Sequence, residues 1–196
     1  MSAGLKKGTA GYRRRHTVRQ ALILVLLLLL IAGQILFARK IGGNLGILFT
    51  FTGILTALPL GNAAAPFLAM GMIPSVSRER AAAFEAFRDR GILLLDLTFT
   101  TQAWILPADC CLVRPGAVLI YLNGGKAVLP EAGETKQTAL KKVLGEALER
   151  ERLHTRLNLY EDEHLFLKAL EALPPDDGKA GDREQAIAAL LKQLSY

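Results

Sequence analysis

Between residues 21 and 74 the only charged side chains are Arg39 and Lys40, and this apolar block constrains the chain more than any other feature. Ala21 to Ala38 is a run of 18 residues dominated by Leu and Ile, with Gln34 its only strongly polar side chain. About 20 apolar residues cross a hydrocarbon core as a helix. Ile41 to Pro74 adds 34 residues without a charge. At roughly 1.5 Å per helical residue that is far more than a ~30 Å bilayer requires, and Pro59, Gly61, Asn62 and Pro66 interrupt it. The pattern predicts a first transmembrane helix over 21–38, an outer turn at Arg39-Lys40, a second transmembrane helix over 43–60, and an interfacial or re-entrant connector over 61–76.

Basic residues set the orientation, because Lys and Arg near membrane ends stay on the cytoplasmic side. Residues 1–20 hold Lys6, Lys7, Arg13, Arg14, Arg15 and Arg19 and no acid, and Arg78, Arg80, Arg88 and Arg90 follow the second apolar block. A multi-pass protein of the cell membrane is expected, with both termini in the cytoplasm and 1–20 as a basic tail. A cleaved signal peptide fits less well. Its apolar core is 7–15 residues, and Leu36-Phe37-Ala38 lacks the small residue three before a cut.

Charge divides the chain at the same place. Residues 1–90 carry 12 basic and 3 acidic side chains, whereas 91–196 carry 12 basic and 15 acidic, a net of −3. The overall +6 is therefore a membrane signature, with anionic lipid headgroups as the partner of the basic residues. It argues against nucleic acid as a partner and leaves another protein as the expected one. The only cysteines, Cys110 and Cys111, are adjacent; on a strand they point to opposite faces, and a disulfide between them is strained. Two reduced structural thiols are expected.

The last 120 residues suit one small α+β, or α/β, domain. Ser77–Arg90 is predicted as a helix ended by Gly91, and Ile92–Thr101 as a strand. Cys110–Val113 and Ala117–Leu122, separated by Arg114-Pro115-Gly116, continue a β-meander that closes at Asn123-Gly124-Gly125. Helices follow from Thr138 to about Arg152, after Asp162 as a cap, and from Asp182 with a capping-box-like Gln185. Pro174-Pro175 and a polar linker, Asp176–Gly181, separate the last two. Arg156–Tyr160 alternates as a further strand. The fold class is thus a two-helix transmembrane hairpin followed by a small cytoplasmic α+β (or α/β) domain, 77–196, with a β-meander and three or four helices, expected to fold without the spans.

The stretch Phe87–Tyr121 resembles the opening of the nuclease-related domain family, which belongs to the restriction-endonuclease-like fold. The matching pattern is a helix, then Gly91–Leu97, then Ile105-Leu106-Pro107-Ala108-Asp109 running through Arg114-Pro115-Gly116 into Ala117–Ile120. The resemblance implies an Asp on one strand, a Pro-Gly turn, and a Glu-x-Lys pair on the next strand; it places the Asp at Asp109. Glu79 and Glu85 on the preceding helix are then the remaining candidate metal ligands. Metal-dependent phosphodiester cleavage needs carboxylates converging on a hard cation. Here the next strand reads Val118-Leu119-Ile120-Tyr121-Leu122-Asn123 and has neither Glu nor Lys.

Other constellations are weaker. His154 and His164, ten residues apart, fit no helical metal-ligand spacing, and Gly124-Gly125 lacks the lysine of a phosphate loop. No cofactor is expected. Trp104, the only tryptophan, is a candidate docking anchor or a half-buried packing residue. Gly42, Gly46 and Gly53 are candidates for close contact within the membrane. These observations favour a membrane-anchored, noncatalytic interaction or regulatory module. Alternatives are an accessory subunit of a membrane transport or secretion complex, and a membrane-tethered nuclease with an atypical metal site.

Overall fold

Two long helices begin the chain in the structure, a computed structural model that describes residues 7–71, 73–128, 133–175 and 181–195. Helix α1 spans Tyr12–Ile41 and α2 spans Gly43–Met70. Both contain segments long and apolar enough to cross a membrane. Their Leu and Ile side chains, such as Leu22, Leu26, Ile47 and Leu58, are exposed, the reverse of a soluble core helix. Thr50 and Thr56 donate to the carbonyls of Gly46 and Thr52 in their own helix, at 2.9 and 2.8 Å, which satisfies both hydroxyls within the helix.

The boundaries differ from the sequence expectation in two ways. Arg39 and Lys40 lie in the last turn of α1, where cations complement the carbonyl end of the helix. Gly42 alone, at φ +66°, makes the connection to α2. The break expected near 59–62 is absent, since α2 continues through Pro59, Gly61, Asn62 and Pro66. In a helix that lies in lipid, proline is tolerated where neighbouring groups re-satisfy the carbonyl it frees. Of the expected connector 61–76, Met72 lies outside the described residues, as do 1–6 of the expected tail and 176–180 of the expected linker.

A second compact unit comprises residues up to Arg13 together with Ser75 onward, and Arg14–Pro74 forms the other. Its sheet has the order β1 (Ile92–Thr100), β2 (Trp104–Arg114), β3 (Ala117–Leu122) and β5 (Arg156–Tyr160). The first three form the expected antiparallel meander, and β5 runs parallel to β3 with Val118 opposite Leu157. A two-residue strand, β4 (Lys126–Ala127), pairs with the start of β2. Between β3 and β5 the chain passes through α4 (Lys136–Arg150), which makes the long crossover that a parallel pair requires.

Helices cover both faces. On one, α4 and α6 (Asp182–Leu194) bring Leu140, Leu144, Leu148, Ile187 and Leu191 against Leu97, Leu106, Cys111 and Ile120. On the other, α3 (Arg78–Glu85) and α5 (Glu163–Glu171) bring Phe84, Phe166 and Leu170 against Leu95, Cys110, Leu112 and Tyr121. Phe166 stacks on Tyr121 at 5.5 Å between centroids and meets Phe84 edge-on at 5.8 Å. This unit is therefore α+β, with four α-helices among the described residues. The helix expected over Ser77–Arg90 is capped by Ser77 but ends at Glu85, and a 3-10 turn at Arg88–Arg90 completes it. Gly91 then passes Val113 so closely that a Cβ would lie 2.5 Å from its carbonyl oxygen. Asp162 caps α5 as expected, whereas α6 is capped from Gly181 with Asp182 already helical.

Candidate functional site

A strand that alternates keeps every second side chain on one face. β1 breaks this rule once: Leu93 and Leu95 pack with α3 and α5, whereas Leu97 and Phe99 line the opposite cluster. The reversal falls at Asp96, whose φ is +62°. β2 reverses too, since Leu106 and Ala108 share a cluster with Cys111 and Val113. There the register against β3 shifts between Ala108 opposite Leu122 and Cys110 opposite Tyr121, which makes Asp109 the bulged residue. The flanking pairs Leu95–Cys110 and Leu97–Ala108 set Asp96 across from Asp109. Two matched irregularities thus bring two carboxylates together in the sheet.

Both are buried, Asp96 at 0% and Asp109 at 1% exposure, and Arg13 lies between them. Its Nε donates to Asp96 Oδ1 at 2.6 Å, its NH2 to Asp109 Oδ1 at 2.5 Å, and its backbone N–H to Asp96 Oδ2 at 3.0 Å. Asp96 also accepts from the Val76 N–H at 3.1 Å and from the Ser75 hydroxyl. Four donors match the four acceptor positions of a carboxylate. This supports an αL backbone that costs an L-residue of order 1–2 kcal/mol. Asp109 Oδ2 accepts from Asn123 Nδ2 at 2.7 Å. At the outer edge, Arg80 stands 4.0 Å from Asp109 Oδ2 and pairs with Glu163 at 2.9 Å.

Burial pushes the Cys110 thiol well above the ordinary thiol range, and the neighbouring Cys111 and Asp109 add to the shift. Burial raises Cys111 likewise, with Arg13 opposing and Asp109 reinforcing. Tyr121 is raised by burial first and Glu163 next, against Arg80. Both cysteines are free, buried, and on opposite faces of the sheet. They are protonated and inert at neutral pH.

Of the candidates read from the sequence, only Asp109 enters this network. Glu79 is exposed, and Glu85 is exposed and pairs with Arg88 at 3.1 Å. Among the described residues, no group of three or more His, Cys, Asp or Glu side chains is placed to hold a metal ion. His154 and His164 are exposed. Trp104 is half-buried against the α4 and α6 cluster, with the Lys136 ammonium 6.0 Å from its ring centroid. In the hairpin, Gly46 is a close-approach position, where a Cβ would meet the Ala38 carbonyl oxygen at 2.7 Å. Gly53 sits beside Gln34, and Gly42 serves the turn with open space around it.

Sequence reasoning missed Arg13, Ser75 and the structural part played by Asp96 and Asn123. A signal was present for the acids: each is the lone charge in a largely apolar strand, Ile92–Phe99 or Ile105–Val113. A buried carboxylate needs a partner. Nothing local identifies Arg13, one of three consecutive arginines. Comparison with protein-family models, curated proteins and solved structures finds no match to the chain.

Proposed function

We propose that the protein is a membrane-anchored, noncatalytic module whose α+β domain stands on the cytoplasmic side and engages a protein partner there. One observation carries the reading: the two apolar helices are inserted into the soluble unit. Arg13, just before Arg14–Pro74, and Val76, just after it, both donate their backbone N–H to the Asp96 carboxylate. A segment that leaves and re-enters one folded unit crosses a bilayer an even number of times, and two helices satisfy that. The basic residues of 1–20 and of 78–90 then favour the cytoplasmic side for the whole unit.

The noncatalytic part of the reading rests on the engagement of the most concentrated chemistry. Asp96 and Asp109 bind the chain's own Arg13, and Asn123 holds the free side of Asp109. The nuclease alternative is supported by the β2–Pro115-Gly116–β3 hairpin with Asp109 on its first strand; the missing Glu-x-Lys pair counts against it. The accessory-subunit alternative is supported by a groove of about 620 Å³ in the hairpin, lined by Ile35, Ala38, Gly42, Gly46, Ile47 and Phe51.

Membrane fractionation with compartment-sensitive reporters fused at each terminus tests the anchoring and topology. Both reporters are expected to signal from the cytoplasm, and an extracytoplasmic signal from either terminus sinks the inserted-hairpin reading. Purification from membranes with mass spectrometry then tests the partner. A stoichiometric protein lost when the soluble unit is exchanged for an unrelated domain supports the module, whereas one retained after that exchange points to the accessory-subunit reading.

A further inference from the structure

We infer that residues 7–13 are a latch, which docks through Arg13 on the Asp96–Asp109 pair and releases while the core of the α+β unit stays folded. Neither apolar cluster of that unit includes a residue from this segment. Even Tyr12, which is buried, belongs to neither. The sheet and its four covering helices form both clusters from their own residues, and the arm adds the Gly8 backbone beside Leu94 and the cation that the aspartates need.

The arm's contacts include strongly directional ones. Lys7 Nζ donates to the Ser195 carbonyl at 2.7 Å, and Gly8 accepts from the Leu95 N–H at 3.0 Å. Arg13 then makes the two ion pairs. Gly8 and Gly11 take φ of +85° and +76°, and no atom lies within 4 Å of where a Cβ on Gly11 would stand. Glycine adopts such backbones without steric cost, so Gly11 can reorient without disturbing packing. A buried guanidinium shared by two carboxylates is stable only while every partner keeps its charge and geometry. Changing the acids therefore weakens the latch without opening a cavity in either cluster.

Hydrogen exchange on the full-length chain in detergent micelles or nanodiscs, read by mass spectrometry, tests this. In the native chain, peptides covering 7–13 are expected to exchange at least tenfold faster than those covering 106–122 of β2 and β3. In the Asp96→Asn/Asp109→Asn protein, 7–13 should accelerate a further tenfold or more while 106–122 keeps its protection. Adding Arg13→Ala to that double variant should then change nothing, although Arg13→Ala alone accelerates the arm. Loss of protection at 7–13 and 106–122 together, in the native chain or in the Asp96→Asn/Asp109→Asn protein, overturns the latch in favour of an arm integral to the fold. An arm indifferent to the aspartates overturns it as well.

Discussion

Asp96 and Asp109 face each other across β1 and β2 at two matched irregularities, and one guanidinium, that of Arg13, joins them. Two like charges placed side by side in a sheet destabilise it. The arrangement therefore depends on a cation delivered from a segment 83 residues before Asp96 in sequence. This ties residues on both sides of the apolar hairpin into one folded unit.

Removing the cation should be severe. Arg13→Ala leaves two buried carboxylates facing each other, and breaking a buried pair by deleting one partner costs roughly 3–5 kcal/mol. Arg13→Lys retains the charge but cannot present Nε and NH2 to separate carboxylates, so an intermediate loss is expected. Urea unfolding of the purified chain, followed by Trp104 fluorescence, measures both. A loss under about 1 kcal/mol for Arg13→Ala, within the range of exposed pairs, would show that the network is not the buried structure described here.

Alkaline pH should weaken the α+β unit through its thiols. Cys110 and Cys111 are both raised by burial. Between the unfolded value of about 8.5 and the higher folded one, the unfolded chain binds fewer protons, and stability falls as pH rises. Their contribution is fully present below pH ~8.5 and declines above it. Tyr121, also raised, joins in above pH ~10. Unfolding midpoints measured from pH 7 to 10.5 should show a shallower alkaline decline in a Cys110→Ala/Cys111→Ala protein, whatever its starting stability. Equal slopes would mean that the thiols titrate alike in both states.

Much of the fold was legible because local rules dominate it. β3 and β5 fall where alternation and turn residues place them, and Asp162 caps α5 as its spacing before Leu165 suggests. The apolar helices were legible from composition, but the end of α2 was not. Pro59 and Pro66 carry a penalty in the interior of a helix and predicted a break, yet α2 continues through both. Of the candidate site, Asp109 was visible as a lone charge in a strand. Arg13 was not, because its partners are set by tertiary register and an arginine in a basic run looks the same whether it meets a headgroup or a buried acid.

Close packing in the hairpin should depend on one glycine more than on its neighbours. A Cβ on Gly46 would lie 2.7 Å from the Ala38 carbonyl, whereas one on Gly53 would meet Gln34 Oε1 at an ordinary 3.5 Å. Gly46→Val is expected to separate α1 from α2 near the turn, and Gly53→Ala to be accommodated. Oxidative cross-linking of cysteines introduced at Phe37 and Phe49, whose rings lie 6.0 Å apart, reports the separation. Cross-linking that survives Gly46→Val at native yield would contradict the close approach.

The inserted hairpin makes a construction test possible. Arg13 N and Val76 N bind the same carboxylate at 3.0 and 3.1 Å, so the chain leaves and re-enters the α+β unit at neighbouring points. A four-residue Gly/Ser linker has a mean reach of roughly 10–12 Å, enough to join residue 13 directly to residue 75. Such a chain, 7–13 linked to 75–196, keeps every donor to Asp96 and Asp109 and should be soluble, monomeric and cooperative in thermal unfolding. The fragment 77–196 lacks Arg13, Ser75 and Val76, and with them the four donors to Asp96. It is expected to unfold at a Tm at least 10 °C lower or to aggregate. Equal stability of the two proteins would show that the aspartate pair needs nothing from beyond the hairpin, and would remove the structural argument for an even number of crossings.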